Sequence, residues 1–455
     1  MLRHRRGTRV TTVGGVVVAL VLGACSSGPG GVTSSEGAVD PACAAYAAYG
    51  RHPGTQVTVM SESSPSAQTA YDRSWSAFEA CTGISVVGVR TSAVATDLMS
   101  RIAAGDPPDL AVLPSPGTVL LRQLVSTGQV KAAPDAVAAN LDRWYNAAWR
   151  AYGTVDGSLY ATPLDASMSS LVWYSPTVFR AHGYSVPTTW SDMLALSDRM
   201  AAGGLTPWCG GLAAATSSGW PATDWLEEVV LRQSGGDVYD AWVTHDVRFD
   251  SPEIIRAMDA VAFWMKNASH VNGGIGGVAS IAATGYLDAG RPVLDGTCGM
   301  FEQGASYADV WASFRAGVRI GPDGDVYAFY LPPMDPQLQA VVGDGELLTA
   351  FSDRTEVEAV QTYLSSAAFA SLRAAQGGWV SPNNGVALTV YKDPVDRLSG
   401  RYLGDLGAVF RLDASELMPS AVGAGAECRE LTAWFAENTP TKDVLDAIDA
   451  AWPPG

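Results

Sequence analysis

The sequence predicts an α/β protein of two lobes, each a parallel sheet wrapped by helices, and three observations carry that expectation. The 455 residues exceed what one hydrophobic core commonly spans. Apolar residues make up 47% and charged residues 16%, a globular balance that excludes a disordered chain. From Thr55 onward, short apolar runs alternate with stretches of helical periodicity, the pattern of strands covered by helices.

The elements follow in order. "TQVTVMSE" reads as a strand, and Tyr71, Trp75 and Phe78 at i, i+4 and i+7 mark the buried face of a helix ending near "CTG". "ISVVGV" is the next strand. "TDLMSRIAAG" is a helix stopped by Gly105 and the Pro107-Pro108 pair, followed by a strand at "DLAVL" and a helix at "GTVLLRQLVSTG". Asp156-Gly157 in "TVDGSLYATP" is a hairpin signal leading to a strand at "SSLVWYS". Thr189, three residues before Asp192, caps one amphipathic helix, and Ser251 with Pro252 opens another. "CGMFEQ", "VYAFYLP" and "QAVVGDGELLTAF" return to strand-like runs. Val357, Val360 and Leu364 line one of the closing helices, and Val444, Leu445, Ile448 and Trp452 line another. In an open α/β sheet, ligands lie where loops leave the carboxyl ends of strands. The loops to search are therefore "SESSP", "PSPG", "PLDASM", "EQGAS" and "GDGE".

The first 24 residues differ in character. Arg3, Arg5, Arg6 and Arg9 precede "VGGVVVALVL", an apolar run too short for an ordinary membrane span and typical of an export signal. Leu22-Gly23-Ala24-Cys25 resembles the bacterial lipobox, which makes Cys25 the lipid-modified mature N-terminus. Residues 25–53 then read as a lipid-anchored flexible stalk. The formal charge is −17 for the whole chain, and it becomes more negative once the basic leader is removed. Nucleic-acid binding, which needs a basic surface, is excluded. With Cys25 acylated, five cysteines remain, so two disulfides and one free thiol are the simplest arrangement. No CxxC occurs and the five histidines are never at ligand spacing, so no metal and no cofactor are expected.

One stretch stands out chemically: "SSGWPATDW", residues 217–225, sets two tryptophans and an aspartate among small polar residues. A sugar offers flat C–H faces to aromatic rings and hydroxyls to carboxylates and amides. Trp220 suits a stacking platform, and Asp224 reads either as a hydroxyl acceptor or as a carboxylate favoured by the helix N-terminus. Trp225 reads either as ligand contact or as core, since its spacing to Val229 matches a buried stripe.

The lipobox, "GDPPDLAVLPSPG", "DGSLYATPLDASMSSLVWYSPTVFRAHGYSVPTTWSDMLAL", "TPWC", "GWPATDW" and "RLDASELMPSAVGAG" together resemble the family 1 extracellular solute-binding proteins of ABC sugar importers, above all the alpha-glucoside-binding ones. The likeness runs from about Thr55 to Trp452. It implies a maltose-binding-protein-like fold of type II, with a ligand cleft between lobes and a hinge crossed near Pro163–Asp165, Cys298–Phe301 and Gly343–Glu346. The implied division is 54–164 with 299–345 in one lobe and 165–298 with 346–455 in the other. It also implies a Cys209–Cys298 disulfide; a second pair, Cys43–Cys81, would tie the stalk end to the first helix and leave Cys428 free.

The resemblance adds site candidates. Asp165 lies just past the first crossing, where relatives commonly carry a basic residue, and a hinge-capping role is the alternative. Glu302 and Gln303 stand where relatives show His-Arg-Gln. Glu346 corresponds to a family aspartate beside a glycine-rich hinge turn, and reads either as a ligand contact or as part of the turn itself. Ser61, Glu62 and Ser115 follow early strands and read either as rim contacts or as solvated loop groups, and Trp379 either caps the cleft or packs locally. Trp75, Trp264 and Trp452 sit in helical stripes and read as core.

The expected function is that of a non-catalytic receptor. It would capture an oligosaccharide, an alpha-glucoside or similar disaccharide, and deliver it to the transmembrane permease subunits of an importer. A monomer held on the outer face of the bacterial cytoplasmic membrane by its lipid alone is expected. The alternatives are the same fold binding a non-sugar solute, or a surface glycosidase drawing an acid and nucleophile from Asp165, Asp224, Glu302 and Glu346.

Overall fold

The computed structural model describes residues 41–215 and 218–454. The predicted leader, Cys25, the first part of the stalk and Ser217 lie outside the described residues. The strands are β1 (Thr55–Ser61), β2 (Ile84–Arg90), β3 (Leu110–Leu113), β4 (Thr154–Val155), β5 (Ser158–Leu159), β6 (Ala161–Met168), β7 (Leu171–Tyr174), β8 (Thr206–Cys209), β9 (Cys298–Glu302), β10 (Tyr327–Tyr330), β11 (Ala340–Ala350) and β12 (Val409–Leu412). The three early strands and the helices between them fall where apolar periodicity places them. Thr189 and Ser251 cap their helices by accepting from Asp192 N and Ile254 N. Asp156 and Gly157, both at positive φ, turn β4 into β5.

Two sheets form. One has the order β12-β11-β3-β1-β2, with β6 also on β11, and the other the order β10-β7-β9-β8. β1 is parallel to β2 and β3, and β8 to β9, as strand–helix alternation requires. Neither sheet is wholly parallel, however: β11 runs antiparallel to β3 and β6, and β7 antiparallel to β9 and β10. The antiparallel members are the strands that carry the chain between sheets, so they enter from the opposite direction. β3, β7 and β9 are buried along their whole length, consistent with apolar runs covered on both faces.

The first passage between sheets occupies only Ser169 and Ser170, between β6 and β7. The return lies between Tyr330 and Ala340. β9 pairs inside the second sheet, so Cys298–Phe301 is not where the chain crosses. β11 ends beside β3, and the helices Thr355–Leu364 and Ala367–Ala374 accordingly cover β1 and the helix Pro65–Thr82 of the first sheet. The expected division gave residues from 346 onward to the other lobe. Short connections keep successive elements on one sheet, and this segment obeys that rule.

Cys43 is bonded to Cys81 and Cys209 to Cys298, while Cys428 is free and buried. Pro41–Tyr49 forms a short 3-10 helix. Tyr46 and Tyr49 meet Phe78 edge-on, with ring centres 6.3 and 5.4 Å away. The later part of the expected flexible stalk is therefore fixed to the folded body by a disulfide and by ring contacts of Tyr46 and Tyr49 with Phe78 and Tyr363.

A buried ion pair fastens the joint between the sheets. Arg232 and Glu228, both wholly buried one turn apart on the helix Trp220–Val243, are paired through Nη1 and Oε2. Arg232 also donates from Nη2 to the carbonyls of Leu331 at 2.9 Å and Ala340 at 3.2 Å. Glu228 accepts from Ser170 Oγ at 2.6 Å, and Ser170 Oγ accepts from Val342 N at 2.9 Å. Both passages between the sheets are thus tied to one helix.

Candidate functional site

The helix Trp220–Val243 starts at Gly219, whose φ of 108° and close approach to the Cys428 carbonyl leave no room for a side chain. A Cβ there would lie 2.2 Å from that oxygen. The turn delivers Trp220 and, four residues on, Asp224 to the same face of the helix. Trp220 is half-buried, and its ring meets Tyr286 in a T-shaped contact at 5.0 Å.

These two side chains open into a cavity of about 520 Å³ at the seam of the two sheets. The first sheet supplies Ser167 and Ser169 from β6 and the segment after it, Asp344 from β11, and Asp413, Ser415 and Glu416 from the end of β12. The second supplies Gln303, Gly304 and Ser306 after β9. Cys428 and Ala424 complete the wall. The size suits a disaccharide, and one aromatic plane among carboxylates, hydroxyls and an amide is the chemistry that a polyol needs.

Asp344 is held by Ser115, whose Oγ donates to Oδ1 at 3.3 Å and accepts from Gly345 N at 3.2 Å. Burial, reinforced by the charge of Asp413, pushes the Asp344 carboxyl up to about 7. Burial also raises Asp224 well above the ordinary carboxylate range, with Asp413, Glu302, Asp344 and Glu228 adding repulsion in that order. Asp224 Oδ1 is buried without a hydrogen-bond partner. Beneath it, Glu227 accepts from Tyr239 Oη at 3.0 Å, Ala414 N at 2.8 Å and Ser415 N at 3.0 Å, locking the loop after β12 to the helix. Asp413 caps that loop by accepting from Ser415 Oγ and Glu416 N. One carboxylate oxygen each from Asp224, Glu227 and Asp413 lie within 4.8 Å of one another, a spacing that suits a cation. The Glu227 oxygens, however, are already engaged by three donors.

These raised carboxyls keep protons that an unfolded chain releases near an ordinary pKa of about 4. Stability from Asp344 is therefore full below that value and is lost as pH rises toward about 7. The ligand-free protein is expected to melt several degrees lower at about pH 8 than at about pH 5, and Asp344→Asn should flatten the difference. Thermal melts across that window check it, and a rising melting temperature contradicts it.

The other sequence candidates lie apart from this cavity wall. Trp225 is core: its ring is buried, and its Nε1 donates to Glu302 Oε2 at 2.7 Å. Glu302 is buried with it under the site, because it belongs to β9 and points toward the helix. Asp165, Glu346, Arg373, Tyr71 and Trp379 form a second group. Asp165 accepts from Ala166 N at 2.8 Å and Val380 N at 3.3 Å, within β6 and short of the passage at Ser169 and Ser170. The Arg373 guanidinium lies 4.8 Å from the Tyr71 ring and 5.3 Å from that of Trp379, which is buried. Burial pushes Glu346 up to about 7, with Glu62 adding repulsion. Glu62 accepts from Val94 N at 2.8 Å and so holds the start of the helix Val94–Ala103.

Sequence reasoning missed Asp413, Ser415 and Glu416, although "LDASE" carries the signal: an N-cap aspartate with Glu three residues on, directly after a strand. A larger cavity of about 720 Å³ lies where the same long helix breaks at Gly235, and Arg122, Asp240 and Arg411 are among its walls.

The profile of the family described as bacterial extracellular solute-binding protein matches residues 61–321. The osmoprotective compounds-binding protein GgtB of Synechocystis sp. is 32% identical over 406 residues, covering 88% of this chain and 92% of that one. The alpha-glucosides-binding periplasmic protein AglE of Rhizobium meliloti is 32% identical over 361 residues, covering 77% and 76%. Among solved structures, the bacterial solute receptor AcbH superposes with a TM-score of 0.70 at 20% identity, over 88% of this chain and 97% of that one.

Proposed function

The chain belongs to the bacterial extracellular solute-binding protein family, and from that premise we propose that it is the substrate-binding subunit of a carbohydrate ABC importer. It is a binding protein and not an enzyme, as its family is. The ligand is an oligosaccharide of disaccharide size, an alpha-glucoside or similar compound, handed on to the permease subunits. The observation that carries this reading is the cavity at the seam of two sheets, in which Trp220 faces a group of carboxylates.

One lobe gathers around each sheet, and a ligand touching both favours the closed arrangement; without such shared contacts binding could not shift the lobes. The leader 1–24 is removed on export, and Cys25 carries the lipid that tethers a monomeric receptor to the outer face of the cytoplasmic membrane. No helix among the described residues is long and apolar enough to cross a membrane.

Titration with trehalose, maltose and sucrose should give a saturable change in tryptophan fluorescence, with every sugar recovered intact. Hydrolysis of a sugar or of a chromogenic glucoside would overturn the receptor reading, and silence toward all saccharides would point to another solute.

A further inference from the structure

The charge balance of the cavity goes further than a neutral sugar requires. Asp224, Asp344, Asp413 and Glu416 all line it, and no Lys, Arg or His stands among its described walls. The nearby guanidinium groups are committed elsewhere: Arg232 to Glu228 and backbone carbonyls, Arg411 to Asp240. Glu427, next in the chain to the wall residue Cys428, is wholly buried, and neither of its carboxylate oxygens has a hydrogen-bond partner.

A second observation points to an occupant. Asp224 is only 7% exposed, lines the cavity, and has an Oδ1 with no donor. Sugar hydroxyls can satisfy such an oxygen, but they do not relieve the burial and mutual repulsion that hold these carboxyls in their protonated form in the empty recess; a cation seated among them does. An ammonium group supplies both the missing donors and the missing charge, and its hydrogen bonds to carboxylates are the stronger kind.

Resting on the saccharide reading above, we propose that the cavity selects a saccharide bearing a protonated amine, with the ammonium seated against Asp224 and flanked by Asp344 and Asp413. Trp220 stacks on the sugar ring, and Ser167 and Gln303 serve the remaining hydroxyls.

The test is calorimetric titration of the full mature chain with trehalose, with 2-amino-2-deoxytrehalose and with the N-acetylated form of the latter, repeated with the corresponding maltose set. The amine form is expected to bind at least tenfold more tightly than both its neutral parent and its N-acetyl derivative. That advantage should shrink as salt is added and vanish in Asp224→Asn, whose melting temperature reports whether it folds. The amine-to-neutral ratio in the unaltered protein decides the matter whatever that variant does. Saturable binding of neutral parents with an equal or greater affinity overturns the amine proposal and leaves the saccharide receptor standing. Failure of every saccharide to bind removes the underlying reading, and the proposal with it. Tight binding of calcium chloride alone, lost in Asp224→Asn, would also overturn it by giving the carboxylates an inorganic occupant.

Discussion

Trp220→Ala is expected to raise the saccharide dissociation constant about 30-fold or more, the loss of roughly 2 kcal/mol that a central aromatic anchor carries. The ring is half-buried, stands at the start of its helix and touches Tyr286 only edge-on, so its removal leaves the core intact. Melting should shift little while affinity falls, and calorimetry beside a thermal melt separates the two. Unchanged affinity with lowered stability would make Trp220 a packing residue.

Arg232→Ala is expected to destabilise the fold by about 3–5 kcal/mol, the usual cost of leaving a buried charge unpaired. Three consequences combine: Glu228 loses its cationic partner, the Leu331 carbonyl loses its guanidinium donor while that of Ala340 keeps only Tyr330 Oη, and the tie between the two passages loosens. Denaturant unfolding measures it. Because the pair's attraction is offset by the desolvation of two ions, the double variant Arg232→Met with Glu228→Gln should cost markedly less than the single one. A single variant within about 0.5 kcal/mol of the parent would show that the ion pair does not hold the joint.

What could be read from the sequence follows physical lines. The early strands and helices were legible because apolar spacing and caps are local signals, as at Tyr71, Trp75 and Phe78 or at Thr189 and Ser251. Sheet membership was not, because pairing is long-range: nothing near Cys298 says that β9 joins β7 and β8. In the site, Trp220 and Asp224 were legible from chemistry, and the strand-end loops pointed to Ser167, Gln303 and Asp344. Glu302 misled, since a carboxylate at a strand end suggests a ligand contact, yet its bond to Trp225 turns it into the core. Asp413 and Glu416 come to the cavity from a chain position nearly 200 residues beyond Asp224, a convergence that only the fold creates.

The most direct test of the central claim is a crystal structure of the protein grown with its tightest saccharide. A sugar ring lying on Trp220, with polar groups in hydrogen-bond reach of Asp224 and Asp344, is the result expected. Density for the sugar in the larger cavity beside Gly235 and Arg411, with the Trp220 recess empty, would contradict it.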